Sequence, residues 1–349
     1  MIKLLDNIQK HLFLWITSVI IVGLSIVYFF DGYKFSPIIC LVAAIVMIYP
    51  SFVPLSFDKL PQSVKNYPAI IASIVINFIL FPFLAYYVGE IFLEEEYVLR
   101  LGLILLALLP GGGMVTTWAM RSRADMSTTI GIVIINLLIA IVAVPFGLSF
   151  FMNHFGLDEV EEVSESMCVI EQTTQGVASC DFGGSGVSPM KIAIPIFVIV
   201  VIPLIAAFVT QKIIRKKKGI KNFNKIKKNF GKFSNLGLLV VLLALMSLEN
   251  NSVIFENPGI LMDIFIPLVI LYGIGFGVII LLFKSFKAAR VGKAFIWGSY
   301  LRYITLALGI AISLVFQDER LSIITTVIVL SYFIQIPSSF LISKYLQDK

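Results

Sequence analysis

Histidine and cysteine are nearly missing from this chain: two of the first and three of the second in 349 residues. His11 and His154 stand alone at the margins of apolar runs, and Cys40 lies inside one. There is no CxxC and no Cys/His cluster, so the sequence offers no transition-metal site. A Walker A loop, a nucleophile with its base and a pair of carboxylates are also missing, which removes ATP-driven pumping and membrane catalysis from the readings. The chain is read as no enzyme, and no cofactor is expected. Charge is scarce as well. Asp, Glu, Lys and Arg supply 14% of the residues, against about 25% in a soluble domain.

What fills the chain instead is hydrocarbon. It is 58% hydrophobic with a mean hydropathy of +0.97, an excess that no soluble core absorbs. The apolar residues gather into runs near the 20 or so that a helix needs to cross a bilayer. Helices are the element expected, because a helix satisfies its own backbone where no water reaches. Ten spans are placed at 12–30, 36–55, 67–92, 98–120, 126–152, 190–211, 233–248, 259–283, 294–316 and 321–343, the seventh being short for a full crossing. The first run, Leu12–Phe30, lacks a small-residue cleavage pattern and is read as a span, not as a signal peptide.

The few charges are placed unevenly. With the N-terminus inside, 22 of the 27 Lys and Arg residues fall on inner segments. Segment 212–232 alone carries ten and no acid, while the outer loop 153–189 has seven acids and no Lys or Arg. This is the positive-inside pattern, with both termini cytoplasmic in a plasma-membrane protein. The net charge of +6 is thereby a topology signal and not a nucleic-acid footprint. The expected partners are the bilayer and a small-molecule solute, with no nucleic acid; oligomeric state is left open. The basic segment also suits lipid headgroups, although topology accounts for it first. Cys168 and Cys180 share the outer loop, and a disulfide between them stays open.

The basic segment divides ten spans into two sets of five, with repeats at 1–152 and 190–349 around the loop 153–189. An odd number per half inverts the second relative to the first, the arrangement of inverted-repeat transporters. The fifth span contains IAIVAVPFGLSF and the tenth SYFIQIPSSFLI, with Pro145 and Pro337 in corresponding places.

Two spans carry the chemistry. Span 4 reads LGLILLALLPGGGMVTTWAM. Pro110 removes a backbone donor, and Gly111, Gly112 and Gly113 favour non-helical conformations near the middle of the span. Irregular backbone at that depth is tolerated only inside protein or along a cavity. A discontinuous helix is expected here, with Thr116 and Thr117 beside it; a kink with close helix packing is the alternative. Span 9 holds Arg302 roughly 12–13 Å deep at about 1.5 Å per residue. An Arg at depth costs about 2.5–3.5 kcal/mol on insertion scales. It either binds solute or ties broken backbone together. Ser299, Asn77, Asn136 and Gln335 are further polar residues within spans, and Asn77, Ser299 and Gln335 join Arg302, Thr116, Thr117 and the three glycines as candidate solute contacts.

These residues resemble a known superfamily, that of the bile acid:sodium symporters and the arsenite-efflux permeases. The segment MIYPSFVPLSFDKLPQSVKNYPAIIASIVINFILFP is similar to spans 2 and 3 of the arsenite-efflux branch, which is the closer one. PGGGMVTTWAMRSRADMSTT is similar to span 4 of the symporters, with Pro110, Gly111, Gly112 and Asp125 fitting. The resemblance implies an all-α integral membrane protein of ten transmembrane helices in two inverted five-helix repeats, with helices 4 and 9 discontinuous and crossed. It implies secondary transport of a small, perhaps anionic, solute, with a proton or sodium as the coupling ion left undecided. Three departures bear on chemistry. The arsenite permeases' span-4 cysteine falls at about Gly111 or Gly112 here, so the soft thiolate that suits trivalent arsenic is missing. The symporters' Ser-Asn pair aligns with Val115 and Thr116, and their span-9 Glu and Gln-Asn with Gly298, Arg302 and Tyr303. The arsenite family's Glu before the span-10 Pro is Gln335. Two other readings are therefore kept: arsenite or antimonite efflux without the cysteine, and a non-transporting receptor or scaffold on the same fold.

Overall fold

The computed structural model describes residues 7–8, 11–30, 32, 37–55, 60–94, 96–154, 193–194, 196–247, 255, 259–314 and 320–347. Cys168, Cys180 and most of the acidic loop lie outside them. The elements among the described residues are all helices, with no strand.

The helices are α1 (Leu12–Phe30), α2 (Pro37–Phe52), α3 (Tyr67–Phe92), α4 (Tyr97–Leu108), α5 (Gly113–Arg121) and α6 (Met126–His154). They continue as α7 (Phe197–Lys217), α8 (Lys232–Met246), α9 (Ile260–Phe283), α10 (Ala289–Tyr300), α11 (Ile304–Leu314) and α12 (Arg320–Gln347). Seven stretches are long and apolar enough to cross a membrane, with α10 and α11 together making one of them. The bent pair α4 and α5 makes an eighth. The other two expected spans are helical but short: α2 has 16 residues, and α8 covers Lys232–Met246. Between α7 and α8 the basic segment stays helical and turns at Gly219, whose φ of 75° suits glycine.

Proline explains the irregular turns inside long helices. Pro82 and Pro203 have no N–H and crowd the carbonyl four residues back. Each follows a widened π turn by two positions, Ile76–Leu80 before Pro82 and Phe197–Val201 before Pro203. Such a turn relieves the clash and lets the helix go on. Asp125 caps α6: its Oδ2 accepts from the Thr128 N–H at 2.7 Å and from the Thr128 hydroxyl at 2.6 Å.

Burial separates centre from rim. The apolar window of α10 and α11 is 100% buried, that of α1 only 17%. α10 packs on α3, α6, α9 and α5, and α4 on α3, α6 and α12. Leu14, Ile21, Phe29, Ile91 and Leu341 stay exposed. Large side chains like these pointing outward from apolar helices suit hydrocarbon and not water.

Candidate functional site

The chain leaves helical geometry twice near its centre. Between α4 and α5, Leu109 is extended, and the two helix axes bend by 58°. Between α10 and α11, Leu301–Tyr303 are non-helical, with Leu301 extended. The two breaks lie against each other. A Cβ on Gly111 would come within 3.0 Å of the Leu301 carbonyl oxygen and 2.5 Å of a Val115 methyl. A Cβ on Gly112 would sit 2.4 Å from the Tyr303 ring. Real Cβ atoms do not approach as closely as 2.4 Å, so glycine at 112 is required for the second break to seat, and a side chain at 111 would press on the Leu301 carbonyl and the Val115 methyl. Gly113 differs: its nearest such neighbour is the Ser51 carbonyl oxygen at 3.9 Å.

Arg302 lies between the breaks and is buried. One terminal nitrogen donates to the carbonyls of Ala107 (3.2 Å) and Leu109 (3.3 Å) at the end of α4. The other donates to the Ser299 carbonyl at the end of α10. The Phe81 ring covers one face, with Cζ 3.8 Å from its centroid. Gln335 of α12 clamps the main chain of the same residue. Its Oε1 accepts from the Arg302 N–H at 2.8 Å and from the Tyr272 hydroxyl at 3.0 Å, and its Nε2 donates to the Arg302 carbonyl at 3.3 Å. A side-chain amide thus supplies the two partners that a helical turn would have given this residue. Tyr303 reaches across the first break to a short hydrogen bond with the Ser51 hydroxyl of α2.

A second polar group adjoins the second break. Asn77 donates to the Gly298 carbonyl (3.1 Å) and the Ser73 hydroxyl (3.2 Å), and Asn136 donates to the same hydroxyl at 2.7 Å. Asn77 and Asn136 have 0% exposure. The amide donors are used, but Oδ1 of Asn77, Oδ1 of Asn136, Oγ of Ser299 and Nε of Arg302 are buried with no hydrogen-bond partner among the described residues. An unpaired buried polar atom costs about 1–3 kcal/mol. Four of them lie around one break, and each such group calls for a physical explanation, such as strain, a catalytic role or a bound water or ion.

Of the residues expected from sequence, Arg302, Ser299, Asn77, Gln335, Gly111 and Gly112 come together at the crossing. Gly113 is half-buried at its edge. Thr116 is half-buried and bonds within its own helix to the Gly113 carbonyl at 2.9 Å. Thr117 lies on the exposed side of α5, away from this group. Sequence reasoning grouped Asn136 with Asn77 and Gln335 as a possible polar pocket without counting it among the solute contacts, and it missed Ser73, Phe81 and Tyr272. The spacing of Ser73 and Asn77 by four residues puts both on one helix face, but their partner on α6 has no local signal.

With this geometry in view, the similarity to known proteins is specific. The family model described as "Sodium Bile acid symporter family" matches residues 41–178. The arsenical-resistance protein Acr3 of Alkaliphilus metalliredigens (strain QYMF) is 23% identical over 284 residues, covering 75% of this chain and 71% of that protein. The protein of the same name from Corynebacterium glutamicum is 27% identical over 251 residues, covering 72% of this chain and 62% of that one. The resemblance read from spans 2–4 is borne out, including its lean toward the arsenite-efflux branch. Together with the apolar helices, these matches indicate a multi-pass membrane protein that is similar to proteins of a transporter family.

Proposed function

We propose that this chain is a secondary transporter of the plasma membrane, moving a small oxygen-bearing solute past the point where its two helix breaks meet. The observation that carries the reading is the set of four unpartnered buried atoms at the second break. Two are amide oxygens that only accept, one is a guanidinium N–H that only donates, and one is a hydroxyl that does both. A solute with an oxygen acceptor and at least two hydroxyls would satisfy all of them. The N-terminal ends of α5 and α11 favour an anionic form, as the positive ends of half-helices do in other transporters. The architecture in this proposal is ten crossings in two inverted halves, 1–152 and 190–349, with helices 4 and 9 discontinuous and both termini cytoplasmic.

A second reading has a specific observation behind it. Both relatives named above are arsenical-resistance proteins, and arsenite in its protonated form is a small hydroxyl-bearing solute. Against it, the stretch from Tyr97 to Arg121 has no cysteine, so a soft sulfur ligand for trivalent arsenic is missing.

The test is a panel of small oxyacids, arsenite included, screened by thermal shift with and without sodium and then by flux into proteoliposomes. Binding raises the melting temperature by mass action. Asn77→Ala and Asn136→Ala should each weaken the shift and the flux produced by any active solute. A solute that moves equally well through both variants would show that the amide oxygens are not at the site. No flux of any solute would favour a receptor or scaffold over a transporter.

A further inference from the structure

Among the described residues, the charge on Arg302 has no acidic partner. Among the described residues its hydrogen bonds run to main-chain carbonyls, and the ionisable groups facing it are the phenols of Tyr272 and Tyr300. Those carbonyls are of one kind. Ala107 and Leu109 close α4, and Ser299 lies in the last turn of α10. Both helices therefore aim their C-terminal ends at the guanidinium. Each end carries about half a negative charge, so two converging ends offset roughly one cation. The Phe81 face adds a fourth attractive wall.

We propose that Arg302 is a tethered cation, and that the cage holding it is a cation-binding site which becomes open to free cations when the side chain is cut back. The cage is three carbonyl oxygens and an aromatic face, with no carboxylate. Its ligand class is a small monovalent cation: guanidinium above all, because it fits the planar fork, and alkali cations more weakly. The arginine is thereby a positioning residue that fixes the two breaks relative to each other. This goes beyond the transport reading and does not rest on it.

The experiment compares the native chain with Arg302→Ala, Arg302→Lys and Arg302→Gln, each purified in detergent and melted in low-millimolar guanidinium, sodium or N-methylglucamine chloride. Arg302→Ala should melt lower than the native chain. Guanidinium should raise its midpoint saturably, sodium should do so less, and the bulky N-methylglucamine not at all. The native chain, its cage filled, should show none of these shifts. Equal responses in the native and Ala proteins, or no cation-specific response in Ala, would overturn the proposal. If Arg302→Ala yields no folded protein, the Lys and Gln variants decide. A tethered cation requires Lys to melt above Gln, whereas Gln melting at or above Lys would mean that hydrogen bonding, not charge, fills the role. Neither outcome depends on flux, so failure here is distinct from failure of the transport reading.

Discussion

The two helix breaks face each other at the centre of the fold, yet they are made by opposite means. The first is made by what is missing: Pro110 has no N–H, and Gly111 and Gly112 have no side chains where Leu301 and Tyr303 press in. The second is made by what is added. Leu301, Arg302 and Tyr303 include no proline or glycine, and the main chain there is held open by the Gln335 amide and by the guanidinium on three carbonyls. Local chemistry breaks one helix and a distant side chain breaks the other. The fault lines for mutation differ accordingly, since the first break should tolerate no added atom and the second no removed partner.

The largest effect should come from Gln335→Leu. It strands the Arg302 N–H, the Arg302 carbonyl and the Tyr272 hydroxyl, at about 1–3 kcal/mol for each group left unpaired. Thermal melting of the purified protein should fall sharply; a variant as stable as the native chain would show that the second break needs no clamp. Gly112→Ala comes next, at about 1–3 kcal/mol from the collision with the Tyr303 ring. Gly113→Ala, where a Cβ has room, is its control, and equal melting of the two would remove close approach as the reason for the first break. Ser51→Ala loses the hydroxyl that meets Tyr303 and should cost about 1 kcal/mol in the same measurement. Thr117→Val should do least. Its side chain lies on the exposed face of α5, so both melting and flux should stay within error of native.

How much of this was written locally can be judged residue by residue. Pro110-Gly-Gly-Gly marks its own break, because proline and glycine act on the backbone they belong to. Arg302 announced itself as costly at depth, but sequence alone left its role between solute binding and tying backbone. Two of its three carbonyl partners are 193 and 195 positions away, and a main-chain carbonyl leaves no mark on the sequence. Thr117 looked as promising as Thr116 beside the glycines, and only the roll of α5 separates them. Ser73 was invisible as a shared acceptor, because what matters is its position between Asn77 and Asn136 on two helices.

By itself, the sequence determined the class. Hydrocarbon-rich runs and scarce charge leave a multi-pass helical membrane protein as the outcome, since backbone in lipid has to pair with itself. It also determined the first break and the resemblance that the comparisons bear out. The resemblance alone implied a second break, while tertiary structure decided how it is held, the pairing of an arginine with carbonyls instead of a carboxylate, and the gathering of unpartnered polar atoms around Ser299 and Asn77. The physical reason is range. Backbone preferences act over a few residues and can be read in order, whereas a buried charge is satisfied by whichever groups the packing of other helices brings to it.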